Sequence, residues 1–440
     1  MHITHQHIPS ANTIVFQIDE ESFLRSPKIL RTHRQCITLK ERTFRIMLPQ
    51  SIQSFASVHN DIWALIVFLV VCPFVEEELR LSFSVSKKLA VAFEACGKRI
   101  LPIDPMLKPR TKKVSTQHSV AFNGRMHAFV TAVTLGPQTA LVAVDHWDSV
   151  LGERTSPYPP DVLYNALDNM ESKGHRVCMV KTDVQSMFEP FGFAHPLTAM
   201  IGNILLANEL GLSVVHIGCR LDDMSAYGAY RKEKPHTHKP TRVVVDGNLS
   251  THSRCVSFRD HQLQMNFDGN SLWTVPFWRS MMGCVSLKLD FPLCGMTDAL
   301  LVKLLAEHKL WHEANYCMYA RPQKRCGQCL QCMYYDHLHA SVTKQPVNIL
   351  KIWHMFSDRF PEATTSVTDV QTPCRWNMFW LELIRRKDLL PDAQNFDIFG
   401  AYVDVYLQRK YMVNSMKHIL EDVHYTKVRN GLGRMMGILS

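Results

Sequence analysis

The chain has no block of five or six like charges, no apolar run of membrane-spanning length and no internal repeat. Each absence excludes something. Its 49 Lys and Arg against 40 Asp and Glu leave a net charge of +9 that is spread thinly, so nucleic-acid binding is permitted by the charge but not supported by it. The most apolar stretch, Trp63 to Val75, is about thirteen residues long and contains Pro73. That is short of the ~20 residues a membrane-crossing helix needs, and the stretch reads as a buried helix. Met1-His-Ile-Thr-His-Gln-His7 lacks a cationic segment followed by an apolar core, so neither a secretory signal nor a membrane anchor is expected.

What is present describes a globular protein. Of 440 residues, 46% are hydrophobic and 20% charged, with 22 Phe, 12 Tyr and 8 Trp, enough apolar material for a sizeable core. The length predicts two or three domains, because single cores stop growing near ~250–300 residues. Thirteen cysteines, an odd number with one tight cluster, point away from a disulfide framework. They fit a metal site plus buried thiols, and hence a cytoplasmic location.

Residues 1–101 alternate β-like runs (Thr13–Ile18, Thr43–Leu48) with two helical segments, Phe55–Cys72 and Ser86–Cys96, and read as an α+β region. Residues 102–118, rich in Pro and Lys, read as a linker. From 119 to 293 short apolar runs alternate with helical segments. Strands are expected at Ser119–Phe122, Ala140–Val144, Val177–Lys181 and Val214–Ile217, and helices at Met126–Leu135, Asp161–Lys173 and Leu197–Leu210. Such continuous Val/Ile/Leu strands imply a parallel sheet covered on both faces, with its ligand site beyond the strands' C-terminal ends. Tyr227–Ser253 reads as a basic surface loop. Residues 294–440 hold the cysteine cluster, and 346–424 read as mostly helical, their aromatic stripes belonging to a core.

The strongest local signal is Cys317-x8-Cys326-Gly-Gln-Cys329-Leu-Gln-Cys332. Overlapping Cys-x2-Cys pairs bring three thiolates into one turn and an eight-residue loop adds a fourth, matching a tetrahedral all-thiolate zinc site. Four thiolates leave no position for water or substrate, so this zinc would be structural. Arg321, Lys324 and Arg325 offset its negative charge. An iron–sulfur cluster would use the same ligands, and the cysteines could also hold no metal.

The second signal is a strand ending at Phe122, a short loop with Gly124 and a helix starting near Met126, an arrangement whose helix N-terminal amides could hold an anion. With the cysteine cluster some two hundred residues downstream, it is similar to the PP-loop ATP pyrophosphatases, whose loop reads Ser-Gly-Gly-x-Asp-Ser. The cysteine spacing looks like that of 7-cyano-7-deazaguanine synthases. Over roughly residues 55–340 the chain resembles, within the PP-loop superfamily, the ATP-dependent epimerases that invert the terminal glutamate of UDP-N-acetylmuramoyl-L-alanyl-L-glutamate. The segments that carry this are Cys72-Pro-Phe-Val-Glu76, Ser119-Val-Ala-Phe122, Val180-Lys-Thr-Asp183, Glu189-Pro-Phe-Gly-Phe193, Ile204-Leu-Leu-Ala207, Leu210-Gly-Leu212, Ser225-Ala-Tyr227, Cys294-Gly295 and Cys326-Gly-Gln-Cys-Leu-Gln-Cys332.

The resemblance implies an α/β fold with a PP-loop (adenine nucleotide alpha hydrolase-like) parallel sheet, an N-terminal α+β region and a zinc-pinned helical C-terminal part. It also implies that a substrate carboxylate is adenylated so that its α-proton can exchange. The phosphate loop departs from the family's pattern, reading Asn123-Gly-Arg-Met-His-Ala128. Only Gly124 matches. Arg125 replaces the second glycine, and His127 and Ala128 remove the carboxylate and hydroxyl expected to serve Mg-ATP. Arg125 and His127 could instead hold an anion by charge. Asp145, Asp148 and Asp183, after the next strands, could line a residual pocket or be solvated loop residues. The expectation is a catalytically inactive descendant of the epimerase family, keeping the zinc and losing Mg-ATP. It would act as a structural or interaction protein with a protein partner or a second copy, as in a viral assembly role. The alternative is an active epimerase or carboxylate-adenylating enzyme with an altered loop. RNA binding through residues 230–242 is a third reading.

Overall fold

The computed structural model describes residues 1–26, 29–31, 36–95, 97–111, 117–146, 160–189, 196–218, 242–245, 248–251, 255–258, 261–264, 275–293, 298–314, 330–343 and 345. Its strands are, in chain order, β1 (His2–Ile8), β2 (Thr13–Ile18), β3 (Ile29–Arg31), β4 (Cys36–Leu39), β5 (Thr43–Met47), β6 (Glu78–Ser86), β7 (Arg99–Asp104), β8 (Gln117–Phe122) and β9 (Ala140–His146). Next come β10 (Val177–Thr182), β11 (Phe188–Glu189), β12 (Leu212–His216), β13 (Arg242–Val245), β14 (Asn248–Thr251), β15 (Cys255–Phe258), β16 (His261–Gln264) and β17 (Lys288–Asp290). The α-helices are α1 (Glu20–Arg25), α2 (Asn60–Val71), α3 (Lys87–Glu94), α4 (Met126–Leu135), α5 (Pro160–Ser172), α6 (Ile201–Leu205), α7 (Val275–Cys284), α8 (Asp298–Glu307) and α9 (Leu330–Val342).

Ten strands form one mixed sheet in the order β17-β12-β8-β9-β10-β5-β2-β1-β6-β7. Six of its nine pairings are parallel: β17 with β12, β12 with β8, β8 with β9, β9 with β10, β1 with β6 and β6 with β7. The fold is therefore α/β with a large, mostly parallel sheet. Renumbered along the chain, the five strands from β8 to β17 lie in the order 5-4-1-2-3, so the winding reverses between β8 and β12. In open α/β sheets that reversal is where ligands bind, beyond the C-terminal strand ends.

The N-terminal strands continue this sheet. β5 pairs antiparallel with β10, and β1 lies between β2 and β6. α2 is buried on every side from Asp61 to Val71, as the unbroken apolar run Ile62–Val71 demands. Among the described residues no helix is long and apolar enough to cross a membrane.

Helices cover both faces of the parallel half. Phe122 packs edge-on against Phe129 of α4, ring centroids 5.2 Å apart. Ser119 has the opposite strand parity, and its hydroxyl accepts a hydrogen bond from Asn203 of α6 at 2.9 Å. The segment expected as one helix over 197–210 is instead a 3-10 turn, Pro196–Met200, followed by the short α6. Within the expected surface loop 227–253, β13 and β14 form an antiparallel hairpin, in keeping with the β-branched run Val243–Val245. β7 reaches Asp104, into the stretch expected as linker. The expected helices over 346–424 lie outside the described residues.

Candidate functional site

The loop after β8 sits at the strand-order reversal. Gly124 has φ +69°, a conformation glycine adopts without strain, and a Cβ there would rest 3.5 Å from Ala166 and 3.6 Å from Leu163 of α5. Arg125 is the N-cap of α4 but contributes no side-chain cap. Its backbone amide donates to the side-chain oxygen of Asn123 at 3.1 Å, so one of the amides that would face an anion is satisfied from within the loop. Asn123 is exposed, Arg125 and His127 half-buried, and Met126 and Ala128 buried.

Across the reversal, the segment leaving β12 closes on the same turn. A Cβ on Gly218 would lie 2.6 Å from His127 Cβ and 3.0 Å from the His127 carbonyl carbon and oxygen. Only a glycine permits that approach. Thr131 of α4 donates its hydroxyl hydrogen to the His127 carbonyl at 2.7 Å, steadying the turn.

The two described carboxylates of the expected pocket are committed elsewhere. Asp145 is buried and accepts from the Tyr164 hydroxyl of α5 at 2.7 Å. Asp183 is buried too, with Oδ1 accepting from the Arg45 amide at 2.5 Å and Oδ2 lying 3.2 Å from Arg45 Nη1. The first links β9 to α5, and the second links the end of β10 to β5. Asp148 lies outside the described residues.

A third group was missed by sequence reasoning. His216 at the end of β12 is fully buried, and its Nε2 lies 3.0 Å from Nδ1 of His118 on β8. On its other side Nδ1 is 2.9 Å from Oδ2 of Asp290 on β17, a close contact that is not a regular hydrogen bond. Strand register creates the array, pairing His216 with Asp290 and Val214 with His118. No local pattern announces it, since the three residues come from separate strands.

Of the four clustered cysteines, Cys332 lies in α9 and is completely buried, while Cys317, Cys326 and Cys329 lie outside the described residues. α9 is fastened by His339, whose ring stacks on Trp311 at 4.2 Å. Elsewhere burial pushes the Cys72 thiol up to about 12 and raises those of Cys178 and Cys284, which disfavours their thiolate forms.

A family of unknown function, DUF6395, matches residues 277–373. The match runs from α7 through β17 and α8 to beyond the fourth cysteine, under a quarter of the chain, and leaves out the 123–128 loop. No curated protein and no solved structure matches the chain.

Proposed function

We infer that this chain is a catalytically inactive descendant of the PP-loop ATP-dependent glutamate epimerases, serving as a structural or interaction protein. The observation that carries this reading is that the chain's own groups crowd the first turn of α4 and hold one of its amides. Gly218 sits against His127, and the Asn123 side chain holds the Arg125 amide. The parallel strand order, with its reversal beside this turn, supports the descent. The internal bonds of Asp145 and Asp183 support the loss of Mg-ATP. Cys317, Cys326, Cys329 and Cys332 would hold a structural zinc, and full burial of Cys332 suits a closed site.

The test is isothermal titration of Mg-ATP into the purified, metal-analysed protein, beside a variant carrying Asn123→Ser, Arg125→Gly, His127→Asp and Ala128→Ser. The expected result is one zinc per chain, no heat from the natural protein and binding by the variant. Micromolar binding by the natural protein, with AMP or pyrophosphate formed on glutamate-terminated substrates, would establish the alternative, an active epimerase or carboxylate-adenylating enzyme.

A further inference from the structure

We propose that His118 and His216 are the protein ligands of a transition-metal site, distinct from the four cysteines, with Asp290 as the carboxylate that orients it. His216 Nε2 and His118 Nδ1 converge to 3.0 Å. Two nitrogens bound at ~2.0–2.1 Å to one tetrahedral zinc lie roughly 3.3 Å apart. A few tenths of an ångström of ring movement therefore replaces the shared hydrogen with an ion. Imidazole nitrogens suit zinc, copper, nickel and cobalt.

Asp290 supplies what a ligating histidine usually has behind it. Its Oδ2 stands 2.9 Å from the His216 nitrogen that faces away from His118. A carboxylate at that distance, behind the ring, helps to hold its orientation. It lies beyond the far side of the ring, so it acts through His216 and does not touch the ion. On binding, His216 keeps its hydrogen on Nδ1, towards Asp290. Neutral His118 shifts its hydrogen from Nδ1 to Nε2, so both converging nitrogens present lone pairs and no net proton is released. His118 is half-buried and His216 fully buried, so the ion would reach the pair from the His118 side. Three adjacent parallel strands hold the group, and their pairing sets its geometry before any metal arrives.

The test adds Co²⁺ to the full-length, zinc-loaded protein and follows visible absorption, with metal counted after equilibrium dialysis. The expected result is one further ion per chain, with ligand-field bands and no thiolate charge-transfer band. The thiolate band separates this site from the cysteine cluster, even if that cluster proves to be empty of zinc. His118→Gln and His216→Gln should each abolish the added ion while leaving the zinc content unchanged, and Asp290→Asn should weaken binding roughly 10- to 100-fold. Failure of the unmodified protein to take up Co²⁺ without a thiolate band overturns the proposal, with no appeal to whether a variant folds. Undiminished uptake by a folded His118→Gln protein overturns it as well.

Discussion

Burial of single imidazoles makes the stability of this protein depend on pH. Burial depresses the His175 ring below its ordinary value of 6.5, an effect only partly offset by its contact with the Thr139 carbonyl. Burial lowers His5 as well, between Phe55, stacked on it at 3.9 Å, and Phe83. Once unfolded, both rings take up protons as the pH falls through 6.5, whereas the folded rings stay neutral until a lower pH. The unfolded state therefore binds more protons across that window, and stability falls as pH drops through it. Urea midpoints measured from about pH 7.5 down to about pH 5.5 should decline, and His175→Gln should flatten the slope. An unchanged slope in that variant would show that His175 does not contribute. The comparison uses slopes because any substitution at this site also shifts absolute stability.

At the level of the element, α6 shows how a single small residue sets a helix's depth. A Cβ on Gly202 would lie 2.9 Å from Val142 Cγ1 and 3.4 Å from Val180 Cγ2, so α6 presses directly on β9 and β10. Gly202→Ala should cost about 1–3 kcal/mol by overpacking. Combined with Val142→Ala, it should cost less than the two single changes summed, and a denaturation-based double-mutant cycle measures that coupling. Zero coupling would mean that α6 moves off the sheet instead. Elements of this parallel half were legible in the sequence. β8, β9, β10 and β12 read as short apolar runs, and α4 and α5 appear within a residue of their expected limits. β1, β6 and β7 were not anticipated. β6 had a usable signal, the buried alternation Leu79, Leu81, Phe83, Val85, but β1 places His5 and His7 on the face it shares with buried Ile3, which obscures the period. At the candidate site, the position of the loop could be read from Gly124 and the strand-to-helix change. The closure of Gly218 on His127 and the His118–His216–Asp290 array could not, because strand pairing creates both.

Within the sheet, the N-terminal strands join the parallel half at a narrow seam. Between β10 and β5 only Lys181–Met47 and Thr182–Ile46 pair, against six pairs between β10 and β9. Side chains reinforce it, with the Thr182 hydroxyl donating to the Arg45 carbonyl at 2.6 Å and Asp183 gripping the Arg45 amide and guanidinium. Asp183→Ala leaves the Arg45 amide without this acceptor and should cost about 1–3 kcal/mol. Arg45 is partly exposed, which keeps the loss below that for a fully buried ion pair. Native-state hydrogen exchange should show that loss first at β5 and β10, with β8 and β12 still protected. Uniform loss of protection would mean that the seam has no separate stability. The same seam also affects synthesis, because β10 is made about 130 residues after β5. At ~5–20 residues per second, β5 waits on the order of ten seconds on the ribosome with that edge unpaired. Until β10 emerges, the nascent chain presents an open strand to its neighbours on the polysome, an interval in which it is exposed to aggregation and to chaperones.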